Sequence, residues 1–336
     1  MTQEQEALVG LAAEILAART SNEQLAKTEV SESRVDEELW RELAEAGLLG
    51  IAAPEEHGGA GLGITEVCLL LEQQGRYVAP VPLWENLLAL YVLRWHATPE
   101  QQQRWVPAVV AGTAKLGLVV SLDGPSPISE AGGVLAGRAL TTSKADALVV
   151  VTDDGVFLAE APAGEPVVTT NHALGYDLDL TGVAAERLDA SVGSVRDHAR
   201  IGLVAIALGI ADAGIREAAQ HLSQREQFGR ALATFQATSF QLGDAYCDAQ
   251  AMRATLWQAV YELSLGRPAA KEVAVATWWA TDAAERIQHA VQHLHGGLGA
   301  DTTYPVHRRL LWTMRSNALL GGPSRQLVRL GGLLTS

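Results

Sequence analysis

Chemistry in this chain is concentrated in a few short segments. Arg225-Glu226-Gln227-Phe228-Gly229-Arg230, followed by Phe235-Gln236, sets two guanidiniums among aromatics. By residue type alone Arg225 is either a surface cation beside a core aromatic or a fork for a phosphate, since guanidinium pairs with phosphate through two parallel hydrogen bonds. His289, His293 and His295 look like a metal cluster by count, but neither a cysteine nor an acid completes them at ligand spacing, which argues against a metal site. Gly296-Gly297 follow at once and have the form of a helix C-cap. Pro54-Glu55-Glu56-His57-Gly58-Gly59-Ala60-Gly61 is a tight loop in which Glu55 and Glu56 read as solvated acids. A carboxylate that removes a proton must lie within hydrogen-bond reach of it. No motif marks such an acid here; Asp197 and Asp301 are the unassigned candidates.

The elements that position these residues fall into three stretches. Up to about residue 115 the apolar spacing is helical: Ala7–Ala18, a helix from Asp36 to Leu49 with acids in its first turn, Thr65–Gly75, Trp84–Trp95 and Pro99–Ala111. From Lys115 the texture turns to short β-prone runs, 116–122, 133–140, 147–152, 156–159 and 167–170, separated by Gly, Pro and Asp. From His198 long helices return, over 201–224, 234–265 and 268–295, and after the Gly296–Gly299 break a last one runs through Leu320. The reading is three domains: 1–115 helical, 116–195 a small β domain, and 196–336 a helical bundle.

Of the 336 residues 48% are hydrophobic, ample for a large core and against disorder as the main state. With 25 Lys+Arg against 39 Asp+Glu the formal charge is −14, which argues against nucleic acid or an anionic membrane as the main partner. Two cysteines, Cys68 and Cys247, make no disulfide framework and fit a reducing cytoplasm. No signal peptide is visible at the N-terminus, and the best membrane candidate, Ile201–Ala211, is far shorter than the roughly 20 residues a bilayer requires.

Four segments, in order along nearly the whole chain, resemble the acyl-CoA dehydrogenase family: Leu39-Trp40 through Gly61; Arg225 to Arg230 with Phe235-Gln236; Leu294 to Gly299 with Tyr304-Pro305-Val306 and Arg308-Arg309; and Leu320-Gly321-Gly322-Pro323-Ser324. The resemblance implies an α+β fold with an N-terminal helical domain, a small central β domain and a C-terminal four-helix bundle, and FAD as cofactor. It implies that Arg225 and Phe228 reach across a subunit interface to the pyrophosphate and flavin of the neighbour's FAD, that Gln236 is a further flavin contact, and that Gly296 and Gly297 let backbone approach the adenine end. His293 stands where the family usually has Gln.

The same resemblance locates what is missing. The family's catalytic Glu aligns with Gly321, and the alternative position on the first long C-terminal helix aligns with Ala199; neither side chain can accept a proton. The β domain departs too, with Val120-Ser121-Leu122-Asp123-Gly124-Pro125 where the family has its flavin- and thioester-holding residues, and no aromatic between Gly137 and Asp146. What is lost serves a subunit's own active site, and what is kept serves a neighbour's FAD. The sequence is therefore similar to the non-catalytic subunit of heteromeric, actinobacterial acyl-CoA dehydrogenases acting on steroid side-chain CoA esters. That implies an α2β2 assembly with one FAD per heterodimer, a catalytic partner subunit that supplies the base, flavin-ring pocket and CoA site, and an electron-transfer flavoprotein as acceptor. The alternatives are a homo-oligomeric acyl-CoA dehydrogenase with an atypical base and a flavin-free scaffold. Helices 201–224 and 234–265 carry more Ala, Leu and Ile than one outward face tolerates, which predicts a large apolar interface.

Overall fold

The computed structural model describes residues 1–335, in two compact units. One comprises 1–70 with 80–202, the other 71–79 with the chain from Leu203 onward.

The first unit opens with helices whose starts are written in their caps. Thr2 boxes with Gln5 ahead of α1 (Gln3–Arg19), and Ser21 with Gln24 ahead of α2 (Asn22–Thr28). Asp36 caps α3 (Glu37–Glu45) by accepting from the Leu39 amide at 2.9 Å, and Arg19 holds the same carboxylate at 3.1 Å. The helix ends at Glu45 rather than Leu49, because Gly47 in the left-handed region (φ +74°) turns the chain into a 3-10 turn at Leu48–Gly50. α4 (Ile64–Tyr77) passes from this unit into the second, and α5 (Leu83–His96) and α6 (Pro99–Val110) complete the helical part.

Eleven short strands occur among the described residues, nine of them in this unit. β1 (Leu116–Val119) runs parallel to β5 (Ala147–Val151), which pairs antiparallel with β6 (Val156–Glu160) and, through it, β9 (Ala185–Leu188). A second sheet orders β4 (Arg138–Thr141), β8 (Leu174–Asp179) and β7 (Gly164–Val168), and β2 (Ser129–Ala131) pairs with β3 (Val134–Ala136). Leu148, Val150, Phe157, Leu178 and Leu180 form the buried core between them. The run expected over 133–140 is broken by Gly137, whose φ of +122° and approach to the Pro127 carbonyl leave no room for a side chain. The strand expected over 167–170 lies at 164–168, because Thr169–His172 forms a turn closed by the Thr169 amide on the Ala173 carbonyl.

In the second unit α7 (Val192–Gln224, whose first eleven residues belong to the first unit) starts nine residues ahead of the expected apolar run, within the stretch read as β domain. The end of α4 presses on it through two glycines: a Cβ at Gly75 would lie 2.0 Å from the Ile206 carbonyl oxygen, and one at Gly209 would lie 1.9 Å from that of Glu72. α8 (Gln236–Ser264), α9 (Ala270–Leu294), α10 (Val306–Leu320) and α11 (Gly322–Thr335) follow. α11 is unexpected. Gly321, at φ +82°, ends α10, and Pro323 fits the first turn of the next helix instead of stopping the chain.

The expected excess of outward apolar residues is corrected for α7. It is long and apolar enough to cross a membrane by composition, yet 89% of its most apolar window is buried, so its apolar face on every side is core. α8 does leave large groups uncovered, Phe240, Tyr246 and Tyr261.

Candidate functional site

The site is built in the second unit where α7 ends, α8 begins and α9 turns. Arg225 immediately follows α7, its amide still bonded to the His221 carbonyl at 2.9 Å. The chain then makes a minimal hairpin, β10 (Glu226–Gln227) against β11 (Arg230–Ala231), closed by the Leu232 amide on the Arg225 carbonyl at 2.8 Å. Its two turn residues, Phe228 (φ +54°) and Gly229 (φ +77°), are both left-handed, as a two-residue hairpin turn of this twist requires. Glycine suits that backbone; phenylalanine costs about 1–2 kcal/mol there. Phe228 is also 92% exposed, set edge-on to Phe235 with ring centres 6.2 Å apart, while Arg230 lies over Phe235 at 4.1 Å. A strained backbone that holds a bare aromatic in solvent gains nothing for this chain's own core, and such strain gathers at functional positions.

Behind the hairpin a cleft of about 680 Å³ opens. Arg225 and His221 form one wall, Thr238 and Gln241 of α8 another, and His293, His295, Gly296 and Gly297 the third. No carboxylate lines it. His293 is held by Gln241 at 3.0 Å. His295 is buried, bonded through Nδ1 to the Val291 carbonyl at 2.7 Å and stacked on His221 at 4.7 Å. A carbonyl only accepts, so that bond places a proton on Nδ1. Gly296 turns the chain at φ +59°, and a Cβ on either glycine would meet nothing within 4 Å, which leaves the rim open to a ligand. The Arg225 side chain has no hydrogen bond or ion pair among the described residues. A free guanidinium, three imidazoles, small-residue rims and apolar walls from Leu232, Leu294 and Leu298 suit an anionic ligand with a flat apolar part. A dinucleotide such as FAD fits that donor set.

Of the residues singled out by sequence, Arg225, His293, Gly296 and Gly297 meet in this cleft. Phe228 and Gln236 do not line it: Phe228 stands at the hairpin tip, and Gln236 is the exposed first residue of α8. His221, Thr238 and Gln241 complete the lining, although nothing in the motif pattern marked them. The recoverable signal for His221 is its place four residues before Arg225, in the last turn of α7. No group of three His, Cys, Asp or Glu that could hold a metal occurs among the described residues.

The two positions considered for a base have no carboxylate. Gly321 is the left-handed C-cap of α10, and Ala199 is buried with its carbonyl accepting from the Trp84 indole at 3.0 Å. Asp197 is buried against Arg200 at 3.0 Å, and Arg200 also donates to the Leu122 carbonyl at 2.7 Å. Asp301 accepts from the Thr303 amide and hydroxyl, both at 2.8 Å, and these bonds hold its carboxyl below the usual range. A carboxylate held ionised by such bonds is a poor proton acceptor.

Known proteins agree with this architecture. The family model for the acyl-CoA dehydrogenase N-terminal domain matches residues 2–113, and that for the C-terminal domain matches 192–330. The chain is 34% identical to acyl-CoA dehydrogenase FadE27 of Mycobacterium tuberculosis, over 98% of this chain and 96% of that protein. Among solved structures, the Tcur3481-Tcur3483 steroid ACAD G363A variant superimposes with a TM-score of 0.93 at 41% identity, covering 99% of this chain and 98% of that one. The ChsE4-ChsE5 complex from Mycobacterium tuberculosis does so with a TM-score of 0.91 at 33% identity, covering 100% and 98%. Members of the matched family bind FAD, and PigA, which shares the fold, is solved as an FAD complex. The helical ends, the paired sheets and the matched sequence agree: this chain belongs to the acyl-CoA dehydrogenase family.

Proposed function

We propose that the chain is the non-catalytic subunit of a heteromeric, flavin-dependent acyl-CoA dehydrogenase, an α2β2 assembly in which a catalytic partner subunit bears the base, the flavin-ring pocket and the CoA site. One juxtaposition carries the reading: an acid-free cationic cleft is built in full, while Gly321 and Ala199 leave both base positions without a carboxylate. The similarity to the ChsE4-ChsE5 complex and to the steroid ACAD variant supports a two-component assembly and a steroid side-chain CoA ester as substrate. An electron-transfer flavoprotein as final acceptor and a cytoplasmic location complete the proposal.

When bound, FAD supplies the oxidant that takes the β-hydrogen of the acyl group as hydride. This chain's part is to hold it. Arg225 binds the pyrophosphate as a fork, and Gly296 and Gly297 admit the adenine end. Phe228, presented outward by the hairpin, and Gln236 reach the flavin of the partner, and His293 is held in the cleft by Gln241. No carboxylate lines the cleft to remove a proton from the substrate.

The test is turnover of a steroid side-chain CoA ester, followed by reduction of an electron-transfer flavoprotein or an artificial acceptor. The chain purified alone is expected to be inactive, and the chain co-expressed with a family member that keeps its Glu is expected to be active. Turnover by the single chain refutes the proposal.

A further inference from the structure

His221 has no role in the motif pattern, yet it shares the cleft with Arg225 one helical turn away. We propose that His221 is a second anion-binding residue of this cleft, its imidazole taking a proton from solvent when a dinucleotide phosphate enters and forming with Arg225 a two-cation site. The inference rests on the cofactor-holding reading above and adds a residue to it.

The charges facing His221 decide the matter. From α9, His295 stacks on it, with Nδ1 committed to the Val291 carbonyl, and His293 lies in the same cleft, bound to Gln241. From the segment before α10, Tyr304 packs on His295 with ring centres 5.6 Å apart; burial and Glu217 raise its pKa, so it stays neutral. α8 contributes Thr238 and Gln241, both uncharged. Just past the end of α7 Arg225 adds a positive charge, and on α7 Glu217, one turn before His221, is taken by both sides of the Arg309 guanidinium. Every charge left free beside His221 is therefore positive or can become so. Burial first, then His295 and Arg225, hold its pKa below the usual histidine value, so the ring is neutral in the empty cleft at pH 7. No carboxylate lining the cleft can reverse that, whereas an entering anion can. A unit negative charge within about 7 Å, at an effective dielectric of about 20, raises proton affinity more than tenfold.

The sign follows from linkage. A ring that is neutral when empty and protonated when loaded makes the protein hold its anion more tightly as pH falls through the window between its two pKa values, the lower of which lies under the ordinary 6.5. The experiment uses the flavin-bearing protein as purified, with its partner, and measures FAD binding by flavin fluorescence at pH 6 and pH 8. Calorimetry in two buffers of different ionisation enthalpy counts protons taken up per FAD. Expected are FAD binding at least about fivefold weaker at pH 8 than at pH 6, with net proton uptake, and in His221→Gln a loss of the proton uptake and a pH profile flat within about twofold. His221→Lys, permanently charged, is expected to hold FAD at pH 8 as well as the native protein does at pH 6. Proton uptake unchanged in His221→Gln, or a native profile with no pH dependence, overturns the inference. Arg225→Ala separates the two layers: if it keeps the full FAD content the cofactor-holding reading itself falls, and if it loses FAD while His221→Gln behaves as native, only the role of His221 falls.

Discussion

At the scale of residues, several of the groups that meet in the cleft were legible because they stand in short, distinctive segments. Arg225, followed at short range by Phe228 and Gly229, and the Gly296-Gly297 pair each keep a shape that few other functions need, and the structure brings Arg225 and the two glycines to one cleft. What sequence could not give is the backbone of Phe228. A left-handed φ on an aromatic follows from the closure of a two-residue hairpin, not from local preference. Phe228→Asn, which tolerates that region, is therefore expected to raise the melting temperature, by about 1 kcal/mol of stability, while lowering FAD content of the assembled protein. Thermal unfolding and flavin absorbance on the same preparations check both. Arg225→Ala is expected to leave folding intact, since the side chain supports no neighbour among the described residues, and to release FAD on gel filtration. His221 escaped notice because histidine is chemically broad. Only its stacking on His295 and the acid-free lining distinguish it from a solvated residue at a helix end.

At the scale of elements, most helices could be read from apolar residues at helical spacing, and Thr2, Asp36 and Thr98 cap three of the starts found in the structure, whereas α2 (Asn22–Thr28) went unread because seven residues are too few to show that period. β8 and β9 went unread too, since Leu174–Asp179 and Ala185–Leu188 are short and carry glycine or charged residues, which blurs the apolar alternation of a strand. α11 was hidden by Gly321-Gly322-Pro323, which reads as a terminus and is a helix-to-helix joint. Within the second unit the end of α4, α7 and α8 are tied by one half-buried cation: Arg253 reaches the buried Glu72 at 3.3 Å and also bonds the buried Asp212. Burial first, and the nearby Asp212 charge, push the Glu72 carboxyl up, and Arg253 opposes that shift. Arg253→Met strands two buried carboxylates and is expected to cost about 3–5 kcal/mol near pH 7. Without the guanidinium the Glu72 carboxyl gains further proton affinity in the folded state. The folded variant then binds more protons than the unfolded chain, so it recovers stability relative to the native protein as pH falls toward 5.5. Urea midpoints at the two pH values measure this, and an equal loss at both would show that the pair is not what Arg253 sustains.

At the scale of the whole molecule, the family was legible from four ordered segments, and the matched domains and superimposable structures bear it out. The division of labour proposed here rests on a contrast within one chain: a cleft fitted for a dinucleotide, and glycine and alanine where proton removal needs a carboxylate. The uncovered aromatics of α8 lie on the same helix whose first turns line that cleft. A neighbour seated there would bury them and close the cleft together. The most direct test of this division is the ratio of FAD to polypeptide in the assembly purified with its partner, from flavin absorbance after denaturation and quantitative amino-acid analysis. The account predicts one FAD for each pair of unlike chains, with none retained by this chain when it is isolated. One FAD for every polypeptide, or a stable yellow oligomer of this chain alone, would contradict it.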